Sequence, residues 1–296
     1  MAMGTALVWG PTGAFAKMIS SSGVSQVSVV CYRAVIVAVT VGGWLLVKRG
    51  VAAFRASGEL LFLYFSLGLL TIFMSTGFMM SCVYLSVPQV LMLGYTSPIV
   101  TMAGSAFLTG ERPTPTQVLS AFMVLAGLYV GFVMGKTGVG PLSITGVAWG
   151  CLSVIGSSGQ VLLSRRISKE GNPDSLLQLF FSHLFGGVVL IAAKSFFDGW
   201  SDLEGLSARA LLLVQYPALM SGLLGYGLLF TSLKYIPASM ASLICTLEIV
   251  FALMLTPLLV QQVPTAHEVL GCMIIFFAVA CSVAGLKFPF ARASAG

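Results

Sequence analysis

Charge is what this sequence lacks. Only 8% of its 296 residues are Asp, Glu, Lys or Arg, and two are histidine, whereas a typical soluble domain carries about 25% charged residues. With 57% hydrophobic residues and a mean hydropathy of +1.00, the chain has too little polar surface to cover a water-soluble fold. Long polar stretches are scarce as well. The longest run roughly over 48–59, 165–174 and 194–209, which leaves no room for an aqueous catalytic module. Metal and redox signatures are missing. All six cysteines (Cys31, Cys82, Cys151, Cys245, Cys272, Cys281) lie in apolar runs, with no C-x-x-C or Cys…His spacing, so they read as small packing residues. No glycine-rich phosphate loop ending in Lys-Ser/Thr is present, which excludes ATP hydrolysis by this chain. No cofactor is implied.

What remains is apolar sequence in span-length blocks. A bilayer core about 30 Å thick takes about 20 apolar residues per helix. Candidate spans fall near 3–21, 26–47, 60–81, 88–109, 117–134, 144–164, 175–194, 211–233, 238–260 and 267–286, an expected ten. Ala14-Phe15-Ala16 looks like a signal-peptide cleavage site, but no basic region precedes it, so 3–21 is read as span one. With the N-terminus inside, inner loops and tail hold ten basic residues: Lys48, Arg49, Arg55, Arg112, Arg165, Arg166, Lys169, Lys234, Lys287 and Arg292. Outer loops hold three, Lys136, Lys194 and Arg209, while Lys17 and Arg33 lie within spans. The positive-inside rule then places both termini in the cytoplasm. The net charge of +6 is a product of that topology and not a nucleic-acid footprint, since no solvated basic face is present.

The chain also repeats itself. At an offset of 151, Tyr84-Leu85-Ser86 falls over Tyr235-Ile236-Pro237, Pro113-Thr114 over Pro264-Thr265 and Val118-Leu119 over Val269-Leu270. Trp9-Gly10 matches Trp149-Gly150 at 140, and Arg33 meets His183 at 150. Each half, 1–136 and 137–296, then holds five spans. Five is odd, so the halves lie in opposite orientations. Such an inverted repeat is the architecture of alternating access.

Trp9-Gly10, Tyr32-Arg33, Thr109-Gly110-Glu111-Arg112-Pro113, Leu233-Lys234-Tyr235 and Leu247-Glu248, in that order and with that repeat, resemble the EamA-type branch of the drug/metabolite transporter superfamily. The resemblance covers nearly the whole chain. It implies an all-α integral membrane fold of ten helices in two inverted five-helix repeats, and transport of small metabolites, often outward, with amino acids among the substrate classes. One departure stands out: Gln261-Gln262-Val263-Pro264 replaces the family's usual Gly-Glu-x-Pro in the second repeat.

Ionisable groups at membrane depth require a partner, water or a function. Glu248, in the middle of span nine, is a candidate proton carrier or amine ligand, or else a glutamate that pins helix packing. Arg33 shares a helix face with Gln26 and Thr40 and suits carboxylate recognition; closing the outer end of a cavity is its structural alternative. His183 is a candidate proton relay or a packing residue. Lys17 is expected to snorkel. Polar stripes mark inward faces: Trp149, Ser153, Ser157, Gln160 and Ser164 on span six, Thr5, Trp9 and Thr12 on span one, and Ser239, Ser242 and Thr246 on span nine. Tyr95 is the repeat counterpart of Thr246, and Tyr226 with Phe230 could form an aromatic wall. Gly127, Gly131 and Gly135 give span five a smooth face matched by Ala278 and Ser282, so spans five and ten are expected to scaffold the halves. Pro11, Pro98, Pro217 and Pro257 are expected kinks.

The expectation is a secondary transporter for a small organic solute, an amino acid or similar zwitterionic or neutral molecule. Export by alternating access is anticipated, with protons the favoured coupling ion; facilitated diffusion and a sodium site stay open. A carrier of anionic metabolites using Lys17, Arg33, His183 and Lys234 is the alternative, with a channel or a multipass membrane enzyme more remote. The protein is read as no enzyme. Short tails point to a bacterial inner membrane, and the repeat is complete as a monomer, with a homodimer also open.

Overall fold

The computed structural model describes residues 1–85, 87–134, 143–169, 174–204, 206–260 and 265–285. The side chain of Lys17, together with Gly135, Lys136, 261–264, Lys287 and Arg292, lies outside the described residues. Among those described there are helices and no strands. Eight helical stretches are long and apolar enough to span a bilayer: 26–49, 58–84, 89–108, 144–169, 175–197, 208–232, 238–255 and 266–283. A shorter one runs over Pro115–Gly131. The expected first span is the other departure from a count of ten. It is divided into α1 (Ala2–Trp9) and α2 (Thr12–Ser20) at Gly10-Pro11, because proline cannot donate to the helical ladder.

The long spans α3 (Gln26–Arg49), α4 (Gly58–Tyr84), α8 (Ile144–Lys169) and α9 (Ser175–Phe197) form the junction of the two halves. Small residues let their backbones touch. A Cβ on Gly77 would stand 2.6 Å from the Ser153 nitrogen, and one on Gly68 would stand 2.8 Å from that of Gly186. Membrane helices offer one another no hydrophobic driving force, so close packing of this kind and interhelical hydrogen bonds hold them together. The largest core cluster fills the same junction, with Tyr64 stacked on Phe181 at 5.0 Å between centroids.

Spans four and nine are each broken, and at equivalent points. Residues 95 and 96 separate α5 (Val87–Gly94) from α6 (Ser97–Leu108), and 246 and 247 separate α12 (Ala238–Cys245) from α13 (Glu248–Val260). These positions are related by the offset of 151. Span eight passes from α10 (Ala208–Gln215) through a π-helical stretch, Tyr216–Gly225, into α11 (Tyr226–Ser232). Pro11 and Pro217 thus lie in irregular backbone, and Pro98 is the second residue of the helix that follows the break in span four. Pro257 does neither: α13 runs through it, and the break in span nine lies at Thr246-Leu247 instead.

The repeat recurs in detail in α7 (Pro115–Leu128) and α14 (Ala266–Val283). Both begin with a capping box: Thr114 with Gln117, and Thr265 with Glu268. The two helices pack backbone to backbone, Ser120 Oγ donating to the Ala278 carbonyl at 2.7 Å. A Cβ on Gly271 would meet the Gly127 carbonyl at 2.4 Å. Neither helix lines the central cavity, in keeping with a scaffolding role.

Candidate central cavity

The three broken spans meet at a cavity of about 130 Å³. Glu248 is the first residue of α13, where the helix dipole favours a carboxylate, and its repeat counterpart Ser97 opens α6; both face the cavity. The break in span one sits directly against this point, since a Cβ on Gly10 would come within 3.1 Å of the Glu248 carbonyl and 2.9 Å of the Ala252 nitrogen. Discontinuous helices whose new ends face a central site are a recurring device of membrane carriers.

Tyr95 Oη donates to Glu248 Oε1 at 2.9 Å, joining the second half of span nine to the break in span four. Ser153, Ser157 and Gln160 line it from α8, while Trp9 contributes from α1, Ser242 from α12 and Thr246 from the break in span nine. Gln160 Nε2 donates to Thr71 Oγ1 at 2.8 Å, and Ser153 Oγ to the Met74 carbonyl at 2.9 Å. These hydrogen bonds aim the polar wall and tie it to α4. Trp9 is fixed by its Nε1 donating to the Ser221 carbonyl at 3.1 Å and by an edge contact with Tyr226 at 5.1 Å. Thr5 Oγ1 likewise donates to the Gly225 carbonyl. Both acceptors lie in the π-helical stretch, where the altered ladder turns carbonyls toward span one.

Trp9, Tyr95, Ser157, Gln160, Thr246 and Glu248, all expected from the sequence, therefore surround one space. Arg33, Trp149, His183 and Tyr226 do not line it. Trp149 stands half-buried beside Gly77, its carbonyl 2.7 Å from where a Cβ on Gly77 would stand. Tyr226 is a core residue, 1% exposed, with Trp9, His183 at 5.2 Å and the Arg33 guanidinium at 5.5 Å against its ring. Phe230 is fully buried beside it. His183 Nδ1 lies 3.0 Å from the Leu179 carbonyl, the contact of a donor N–H. Arg33 donates to Ser75 Oγ at 2.5 Å. Ser75 and Tyr226 are themselves counterparts at the offset of 151, so the Arg33/His183 pair of the repeat meets behind the cavity wall and not in it. Ser239 and Ser164 also turn away, to Gln117 and Gln178.

Other residues at the cavity and its ends went unseen in the sequence. Met74, Phe78, Leu91 and Leu229 make its apolar wall, and Cys245 joins them; nothing in an apolar run separates such residues from ordinary packing. Ser97 was legible through the repeat. At one end of the bundle Arg165 forms a clasp. Its Nε and Nη2 converge on Glu111 Oε1 at 2.8 and 2.6 Å, and its Nη1 donates to the carbonyls of Leu233 and Lys234. Gly110, at φ 67°, turns the chain after α6 so that Glu111 can face Arg165. Burial opposes ionisation of Glu111, but the Arg165 hydrogen bond, the Ala238 N–H and the charges of Arg165 and Lys169 outweigh it and hold the carboxyl below its ordinary pKa. Arg49 pairs with Asp174 at the same end. At the other end Asp202 accepts from Ser28 Oγ at 2.6 Å and the Ser25 N–H, and pairs with Lys194. Among the described residues no three His, Cys, Asp or Glu side chains converge to hold a metal ion.

Comparison with solved structures finds 28 chains of similar fold. One crystal structure, titled only as that of a protein, superposes with a TM-score of 0.77 at 18% identity, over 96% of this chain and 95% of its own; at that identity the likeness concerns the fold alone. A comparison with curated proteins finds no match. The model of the EamA-like transporter family matches two consecutive segments, residues 1–133 and 144–284. The chain thus belongs to the EamA-like transporter family, multi-pass membrane transporters of the drug/metabolite transporter superfamily.

Proposed function

We propose that this transporter is a secondary carrier working by alternating access between repeats 1–136 and 137–296, and that its central cavity takes a small organic solute through a protonated amine. An amino acid or a similar zwitterionic or neutral molecule fits this reading. The observation that carries it is the composition of the cavity. Among the described residues Glu248 is its one carboxyl group, and no lysine, arginine or histidine lines it. A carboxyl group in an apolar, half-enclosed space favours a cationic partner or a proton. The same observation speaks against an anionic solute, because Arg33, His183 and Lys234 all stand outside the cavity. Glu248 would carry proton and amine in turn, coupling solute movement to a proton gradient. The distribution of basic residues supports cytoplasmic termini in a cell inner membrane, with the clasp of Glu111 and Arg165 on the cytoplasmic side, and export is the direction we assign. A monomer suffices, since both halves of the cavity come from one chain.

Flux of a labelled amino-acid and metabolite panel into proteoliposomes, with and without an imposed pH gradient, tests this. The wild type should move at least one amine-bearing solute faster under the gradient, and Glu248→Gln should lose that acceleration. Equal flux in both proteins under both conditions would sink the coupling role of Glu248. Preferential movement of anions would sink the substrate class.

A further inference from the structure

A second, smaller cavity lies behind the Trp9–Tyr226 pair. Its volume is about 20 Å³, and Thr12, Gln26 and Arg33 line it beside an apolar wall that includes Met79 and Pro217. Among the described residues, three buried polar atoms here have no hydrogen-bond partner: Thr12 Oγ1, Gln26 Oε1 and Arg33 Nε. Arg33 is 8% exposed. Among the described residues its guanidinium is engaged only by Ser75 Oγ and the face of Tyr226, and no carboxylate pairs with it. The amide of Gln26 is oriented by its Nε2, which donates to the Ala16 carbonyl at 2.9 Å; its oxygen therefore faces the cavity as an acceptor.

Each orphan specifies a complement. A buried guanidinium requires an anionic acceptor, best a carboxylate. The Gln26 oxygen requires a donor next to that carboxylate, and the Thr12 hydroxyl can serve either group. One water would satisfy the hydrogen bonds, and about 20 Å³ holds one, but water leaves the buried charge uncompensated. A carboxylate with an N–H donor on the adjacent carbon satisfies both.

We infer that Arg33, Gln26 and Thr12 form a second solute subsite, distinct from the central cavity, that takes the head group of an α-amino acid: carboxylate on Arg33, ammonium on Gln26. The inference rests on the carrier reading above and adds a station to its path. In the orientation we assign, the station lies on the outer side, between span one after its Gly10-Pro11 break and span eight at its π-helical stretch. Movement of these irregular segments opens it beyond the volume of one water. The amine is thus held at Glu248 in the centre and the carboxylate at Arg33 on the way out.

Saturation-transfer-difference NMR on the full chain in lipid nanodiscs tests the subsite, with alanine, propionate and methyl phosphate as separate probes. Measurement in the Glu248→Gln background removes the central amine site. There, alanine should bind more strongly than propionate, and Arg33→Gln should weaken both at least tenfold. Gln26→Leu removes the acceptor and keeps the guanidinium, so alanine should fall to the level of propionate. This variant keeps the test decisive should Arg33→Gln not fold, which thermal melting reports. Unchanged alanine and propionate signals in folded Arg33→Gln, or an unchanged alanine advantage in Gln26→Leu, would overturn the subsite. So would Arg33-dependent binding of methyl phosphate without propionate, which would mark a lipid-headgroup site, and so would no binding of any probe, which would leave a water only. Equal flux of wild type and Glu248→Gln in the proteoliposome experiment bears on the carrier reading alone, so the two failures are separable.

Discussion

The clasp of Arg165 on Glu111 permits a quantitative test of what holds one end of the bundle together. Two guanidinium N–H groups meet one carboxylate oxygen at 2.8 and 2.6 Å, and the two side chains are 12% and 15% exposed. Breaking a fully buried ion pair by removing one partner costs about 3–5 kcal/mol, an exposed pair about 0–1. With this residual access to water, Glu111→Gln should cost about 2 kcal/mol. Arg165→Met should cost more, about 3 kcal/mol, because it also strips donors from the Leu233 and Lys234 carbonyls at 2.7 and 3.1 Å. The pair should couple by about 1–2 kcal/mol in a double-mutant cycle, measured by reversible denaturation in mixed micelles with the wild type, both single variants and the double. A coupling energy below about 0.5 kcal/mol would show that the two groups act independently and that the clasp is incidental to stability.

Three further outcomes follow from the same geometry. Gly271→Ala forces a Cβ to within 2.4 Å of the Gly127 carbonyl; it should destabilise the α7–α14 pair by about 1–3 kcal/mol, read as a fall in melting temperature, whereas Gly43→Ala, with nothing within 4 Å of its new carbon, should not. Trp9→Phe keeps the ring on Tyr226 and removes the donor to Ser221, so a loss of about 0.5–1.5 kcal/mol is expected, and an unchanged melting temperature would discount that bond. On acidification, Glu111 and Asp202 act in the same direction. For each, burial favours the neutral acid, but hydrogen bonds and cationic neighbours prevail and depress the pKa; their stabilisation is full above the unfolded carboxylate pKa of about 4 and is lost as pH falls through the depressed folded values. Melting temperature should therefore hold level down to about pH 5 and fall below about pH 4, less steeply in Glu111→Gln; equal slopes in the two proteins would refute the contribution of Glu111.

Composition and periodicity made the class of fold legible, because apolar run length and basic-loop asymmetry are local quantities that the bilayer itself imposes. The internal offset of 151 went further. It aligned Thr114 with Thr265, which turn out to open paired capping boxes, and Tyr95 with Thr246, whose neighbourhoods turn out to be the breaks in spans four and nine. Glu248 could be singled out from depth alone. Its neighbours could not: Met74, Phe78 and Leu229 differ in no local respect from residues that face lipid.

By itself, then, the sequence determined that the chain crosses a membrane many times in two related halves, and that an acid lies midway along span nine. Only the tertiary structure decided which polar groups meet. Arg33 and His183 satisfy the same intramembrane criterion as Glu248, yet they converge on Tyr226 behind the wall while Glu248 faces the cavity. The reason is that a helix face has no partner until the packing of the other helices supplies one. Backbone contacts through Gly68, Gly77 and Gly271, separated from their partners by more than 70 residues, set that packing.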